Sequence, residues 1–289
     1  MKRFYLISTE HLEESLWFRD DEDFAAGMNY VAIESFRNGK VVVFAFILMS
    51  NHVHFLVYGE RLDVERFFKN YKNRYSHYFK NKYGCRHLLL DNPIHIEEVD
   101  PSDNGVEWAA AYVIMNSVAA NICAHPSQYP WGCAAALFSA VKPSGKRIGD
   151  YSARELRQIL HSGETSLPKD WLISEHGFIL PDNFIAVKGM EQRFKTPNRM
   201  NYFLTKSSKA KKVLSSTDNM PAFRDQTVAA GASELLRSLF GKSDFNELSR
   251  SEKTEFLRQI RFRFSADITQ AARACGISYS EAADLFDTV

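Results

Sequence analysis

The residues best placed to do chemistry are His52 and His54, separated by Val53 in the run HVHFLVY, residues 52–58. Side chains two apart on a strand share a face, so both imidazoles project together while Val53 points to the opposite side. Two neutral imidazoles presented in that way form half of a divalent metal site; the plainer alternative is a pair of partly buried structural histidines. The pair opens a strand directly after Ser50-Asn51, where burying two imidazoles would leave hydrogen-bond demands unmet. A metal needs a third ligand, and a reaction needs a nucleophile or an activated water. Tyr112 and Asn116 stand four apart in an Ala-rich helical pattern and so lie one turn apart on one face. The Asn116 amide oxygen could complete a metal shell with the Tyr112 phenol beside it; the alternative is a core tyrosine and an interhelical hydrogen-bonder.

The elements that must position these residues are legible from period and punctuation. Residues 3–8 read as a strand, and about Asp21 to Phe36 as a helix stopped by Asn38-Gly39. The β-branched and aromatic run 41–49 and the run 52–58 flank Ser50-Asn51, which predicts a hairpin with a tight polar turn. Residues 62–83 predict a long helix ended by Gly84, with Phe67, Phe68, Tyr71, Tyr75, Tyr78 and Phe79 as its core stripe. Residues 86–98 read as extended, and Val106 to Cys123 as a helix. The order β-α-β-β-α-β with one more helix predicts an α+β fold, a ferredoxin-like split βαβ domain with an antiparallel sheet.

The segments FILMSNHVHFLV, YVIMNSVAA and HPSQYPWGC occur in that order. Together they resemble the REP-associated tyrosine transposase branch of the single-tyrosine HUH (IS200-like) transposases, which shows MPNHVHLLV, YIxxNPVRA and a Tyr-Pro-Trp segment. The resemblance covers roughly residues 1–140. It implies a ferredoxin-like nuclease and strand transferase that cuts and rejoins single-stranded DNA, hairpin-containing in this branch, through a 5′-phosphotyrosine. His52, His54 and Asn116 match the metal ligands, for Mg²⁺ or Mn²⁺, and Tyr112 matches the nucleophile. Ser50, Ser117 and Ala119 replace the proline, proline and arginine of the pattern, and CRHLLLDNPIHIEEVD stands where an LWEGRY-like segment is usual. These departures bear on the DNA target and remove no catalytic atom. A regulator that keeps the transposase fold and binds DNA without cutting it is the alternative function; an active site completed within one chain or across a homodimer fits the resemblance equally.

Composition frames the rest. The chain of 289 residues carries 36 Lys+Arg against 35 Asp+Glu, a near balance that by itself counts against a nucleic-acid partner. The charges are unevenly placed: residues 1–140 hold 13 cations and 17 anions, residues 141–289 hold 23 and 18. Within 188–212, eight cations oppose Glu191 alone, interleaved with Phe194, Tyr202 and Phe203, a pattern that suits a solvated face or a nucleic-acid contact. Candidate DNA-contacting residues are Lys69, Lys72 and Arg74 on the 62–83 helix and Lys195, Arg199, Lys209, Lys211 and Lys212 in the basic stretch. The polar KPSGKRIGDYS marks a boundary after residue 140, giving a nuclease domain 1–140, a basic linker or accessory region 141–215, and a mostly helical domain 216–289. In the last, DITQAARACGISYSEAADLF suits a helix-turn-helix or an ordinary helical hairpin. Four scattered cysteines without a CxxC pair and no long apolar run predict a cytoplasmic protein with no membrane segment.

Overall fold

The computed structural model describes residues 1–10, 16–84, 92–120, 122–141, 143–207, 225–264 and 266–286. Lys209, Lys211 and Lys212 of the basic stretch, together with Cys85 and His87, lie outside the described residues.

The chain begins with β1 (Arg3–Thr9), α1 (Asp21–Asn38), β2 (Val42–Met49), β3 (His52–Gly59), α2 (Arg61–Tyr83) and β4 (Ile94–Val99). Asp20 caps α1 by accepting from the Asp23 amide, and Asp21, Glu22 and Asp23 complement the positive end of the helix. Gly84, at φ 68°, supplies the left-handed residue that ends α2. The four strands form one antiparallel sheet in the order β2-β3-β1-β4.

Strand alternation sorts the two faces. Phe55 meets Phe67, Phe68 and Tyr71 of α2, so Val53, Phe55 and Val57 look toward the α1/α2 layer. His52, His54 and Leu56 therefore look the other way. In β1, Ser8 pairs with both His54 and His95, which puts those two histidines on one face with Ser8 between them. A bulge between Val43 and Ala45 shifts the register of β2, so that Ile47 and Met49 end opposite His54 and His52.

The histidine face is covered by α3 (Gly105–Ile114), α4 (Asn116–Ala119), α6 (Val187–Phe194) and α7 (Pro197–Lys206), reached after α5 (Ala153–Leu160). The Val106–Cys123 helix expected from sequence is thus shorter and broken: Met115 interrupts it, and the helical run ends at Ala119. Two stretches cover the outer edge of β2: Ile47 bridges Gly132, and Val43 bridges Ile185 of the segment 143–206 that wraps past it. These bridges cover an edge strand that would otherwise offer unpaired backbone groups. One continuous hydrophobic core runs from Phe4 to Leu204 and includes Leu160, Ile173 and Met190 of this wrapping segment.

A second core, from Val228 to Leu285, is built by α8 (Asp225–Phe240), α9 (Arg250–Phe264), α10 (Ile268–Cys275) and α11 (Tyr279–Phe286). Gly276, at φ 67°, makes the turn between α10 and α11. Arg263 of α9, only 2% exposed, donates to the Arg19 carbonyl and to Asp21, which pins this helical unit to the start of α1. No helix among the described residues is long and apolar enough to cross a membrane.

Candidate active site

The hairpin turn that presents the histidines is not the solvated turn its polarity suggests. Ser50 and Asn51 are each 2% exposed, and the Ser50 carbonyl accepts from the Trp17 and Phe18 amides at 2.7 and 3.1 Å. Buried there, Asn51 orients its neighbour, because its Oδ1 accepts from His52 Nδ1 at 2.7 Å. An amide oxygen only accepts, so the ring proton sits on Nδ1 and the lone pair of His52 is on Nε2. This is the orientation that a metal-binding imidazole takes from a second partner. In the sequence Asn51 reads only as a turn residue; its place immediately before His52 is the signal that marks it.

His52 and His54 stand with ring centroids 5.0 Å apart, and His54 meets the Tyr112 ring edge-to-face at 5.4 Å. The structure therefore brings three of the four expected residues into one contact chain. Both histidines are buried, whereas Tyr112 is partly exposed and forms the open side of the group. Burial, and then the Glu97 carboxylate, push the Tyr112 phenol above the ordinary tyrosine value, so it stays protonated at neutral pH.

Asn116 starts α4 just beyond the break at Met115, and its buried Nδ2 donates to the Tyr112 and Val113 carbonyls at 2.9 and 3.0 Å. The side chain thereby mends the helix end and fixes its own orientation. With the nitrogen committed to carbonyls, the amide oxygen points away from them and remains an acceptor. Among the described residues no three His, Cys, Asp or Glu side chains converge on a metal position. Asn116, the third ligand expected from the sequence, is of another residue type and stands one turn beyond Tyr112, the residue that meets His54. Two imidazoles with one amide oxygen would leave positions for water and phosphate oxygens, and imidazole nitrogen suits Mn²⁺ better than the harder Mg²⁺.

The candidate DNA-contacting residues fall into different environments. Lys69 is exposed on α2. Lys72, expected at the surface, is instead 4% exposed and donates to the Asn92 carbonyl at 2.6 Å. Arg74 grips buried Glu34 through Nε and Nη2 at 2.9 and 2.8 Å and reaches Ser162. Arg199 ties α7 to the start of α3 through Asn104, 2.7 Å away, and stacks over Phe203. Lys195 is exposed at the end of α6. The tyrosines of the α2 stripe, Tyr71, Tyr75 and Tyr78, are all buried. In the C-terminal pair, α11 carries Glu281 and Asp284 and no Lys or Arg, a charge unsuited to a phosphate backbone.

Residues 17–92 match the family model described as Transposase IS200 like. The matched span holds the histidine hairpin with α1 and α2, about a quarter of the chain, and stops before Tyr112 and Asn116. The match supports a DNA-processing enzyme of the transposition and recombination class. Neither the curated proteins nor the solved structures give a match.

Proposed function

We propose that the protein is a metal-dependent single-stranded DNA endonuclease and strand transferase, of the REP-associated branch, that works through a 5′-phosphotyrosine on Tyr112. The carrying observation is the contact of the Tyr112 ring with His54, itself packed on His52. The sheet order β2-β3-β1-β4 with α1 and α2 on one face supports the ferredoxin-like reading of the domain. The branch assignment draws on Asn116 following Tyr112 and on Tyr129-Pro130-Trp131, whose Tyr129 hydroxyl donates to the Leu48 carbonyl beside the histidine turn.

His52 Nε2, His54 and Asn116 Oδ1 would hold Mg²⁺ or Mn²⁺, which supplies positive charge where the scissile phosphate becomes more negative. Tyr112 does the covalent work. Its phenol oxygen attacks phosphorus and gives up its proton; the bond from phosphorus to the 3′ oxygen breaks, and that oxygen leaves as a 3′-hydroxyl after taking a proton. The product is a tyrosine phosphodiester, in which the energy of the broken bond is kept. Attack by another 3′-hydroxyl reverses the step and joins strands without ATP.

The deciding experiment incubates full-length protein with Mn²⁺ and 3′-labelled single-stranded hairpin DNA and looks for an SDS-resistant adduct. Wild type forms it and Tyr112→Phe does not. Equal adduct from Tyr112→Phe refutes the nucleophile; tight binding with no adduct from wild type points to a non-cutting regulator.

A further inference from the structure

A cavity of about 750 Å³ lies on the α1/α2 side of the sheet, away from the histidines. One wall is the exposed face of α2, where Asn70, Asn73, His77 and Asn81 follow one another at intervals of three, four and four residues. At 100° per residue these four side chains fall within a sector of about 80° and run for about 16 Å along the helix. Among the described residues none of them makes an internal hydrogen bond. Asparagine is a poor helix former, so three on one exposed helix face do nothing for the helix itself. The facing wall is the turn at residues 161–163, where His161 sits in the left-handed region at φ 46° and stacks edge-on against Tyr78, 4.9 Å away.

Charge decides the class of ligand. Arg74 is already paired with Glu34, and Lys82 with Asp20, Glu22 and Asp23, so these two cations face four carboxylates and the cavity floor is not an anion hole. What it offers is a row of amides, each presenting a donor and an acceptor side by side, the arrangement that matches the edge of a nucleobase. Lys69 and Lys80 flank the row on the outer side of α2, exposed and without ion-pair partners among the described residues, where a phosphate backbone would lie. The imidazole of His161 adds a ring face against which a base can stack.

We propose that this face of α2 is a second DNA-binding site, which holds unpaired bases of a single strand on the side of the sheet opposite Tyr112. The proposal rests on the nuclease reading for the identity of its ligand. Unpaired bases fit better than a duplex because their pairing edges are free to meet the amides.

The test measures binding of a fluorescent single-stranded oligonucleotide to the full-length protein, with a photoreactive thymine analogue in the strand to map the contact. The combined variant Asn70→Ala, Asn73→Ala, Asn81→Ala is expected to bind at least tenfold more weakly, on the scale of one lost bidentate base contact, with an unfolding temperature no lower than that of wild type. Lys69→Ala with Lys80→Ala should flatten the salt dependence, and crosslinks should map to residues 69–81. Binding within twofold of wild type, or crosslinks confined to other segments, overturns the proposal. If wild type forms the Tyr112 adduct while the triple variant binds normally, this site alone fails. If no adduct forms but the triple variant loses binding, the nuclease reading fails and this site stands.

Discussion

The Tyr112 ring stands edge-on to the His54 imidazole, with planes at 82° and centroids 5.4 Å apart. The phenol is thereby seated against the histidine pair, and under the proposed mechanism it would meet DNA at an angle set by that contact. In that mechanism such preorganisation would turn a weak nucleophile into a positioned one.

Asn51 acts through His52. Asn51→Ala removes the acceptor that fixes the Nδ1 proton, and the expected result is a 10- to 100-fold rise, to order of magnitude, in the Mn²⁺ concentration needed for half-maximal adduct. The maximal adduct at saturating metal should change far less. A metal requirement identical to wild type would show that the hydrogen bond is incidental.

Glu97 adds to burial in raising the Tyr112 phenol. Burial and the Glu97 carboxylate both raise the phenol, so its reactive phenolate is scarce at neutral pH and grows as pH rises. Glu97→Gln takes away one of the two causes and lowers the phenol toward its ordinary range. Adduct rates measured from about pH 7 to about pH 10 should therefore begin to rise at lower pH in the variant. Superimposable profiles would remove Glu97 from the site.

Gly105 allows the Tyr112 helix to start where it does. A methyl group there would overlap the Asp100 carbonyl, although the backbone angles themselves suit any residue. Gly105→Ala is expected to cost about 1–3 kcal/mol, seen as a lower unfolding temperature, because backbone must shift to make room. An unchanged temperature would mean that β4 and α3 are joined more loosely than the structure indicates.

The cations of α2 should separate cleanly. Arg74→Ala strands the carboxylate of Glu34, whose side chain is 2% exposed, and should destabilise by about 3 kcal/mol. Lys72→Ala deletes a buried charged hydrogen bond and should cost about 1–2 kcal/mol. Lys69→Ala should leave stability within about 0.5 kcal/mol and weaken DNA binding at low salt. Denaturation midpoints and binding isotherms on the three variants decide this, and a destabilised Lys69→Ala would contradict the exposed position of that residue.

Periodicity carried much of the domain. β1, β2, β3, α1 and α2 stand within a few residues of where alternation and the Gly39 and Gly84 stops put them, whereas β4 begins at Ile94 although 86–98 reads as extended, and the shared face of His52 and His54 follows from spacing alone. What spacing could not reach is contact made at a distance. Lys72 looks like a surface lysine because its burial is caused by Asn92, twenty residues away. Helical period runs Tyr112 smoothly into Asn116, yet the break at Met115 is a local geometry that an Ala-rich pattern hides. Residues 141–206 resisted reading because their elements are short and owe their order to the β2 edge and to the core they share with the first 140 residues.

The Arg263 clamp has a bearing on the timing of assembly. Its bond to the Arg19 carbonyl joins residues 244 positions apart, and Arg19 follows the two amides that hold Ser50 at the histidine turn. A chain made from its N-terminus thus completes the brace behind its histidine hairpin only once residue 263 has been made. A nascent chain or fragment that stops short of Arg263 would lack that brace, which ties the final setting of the hairpin to the arrival of the helical unit that carries Arg263.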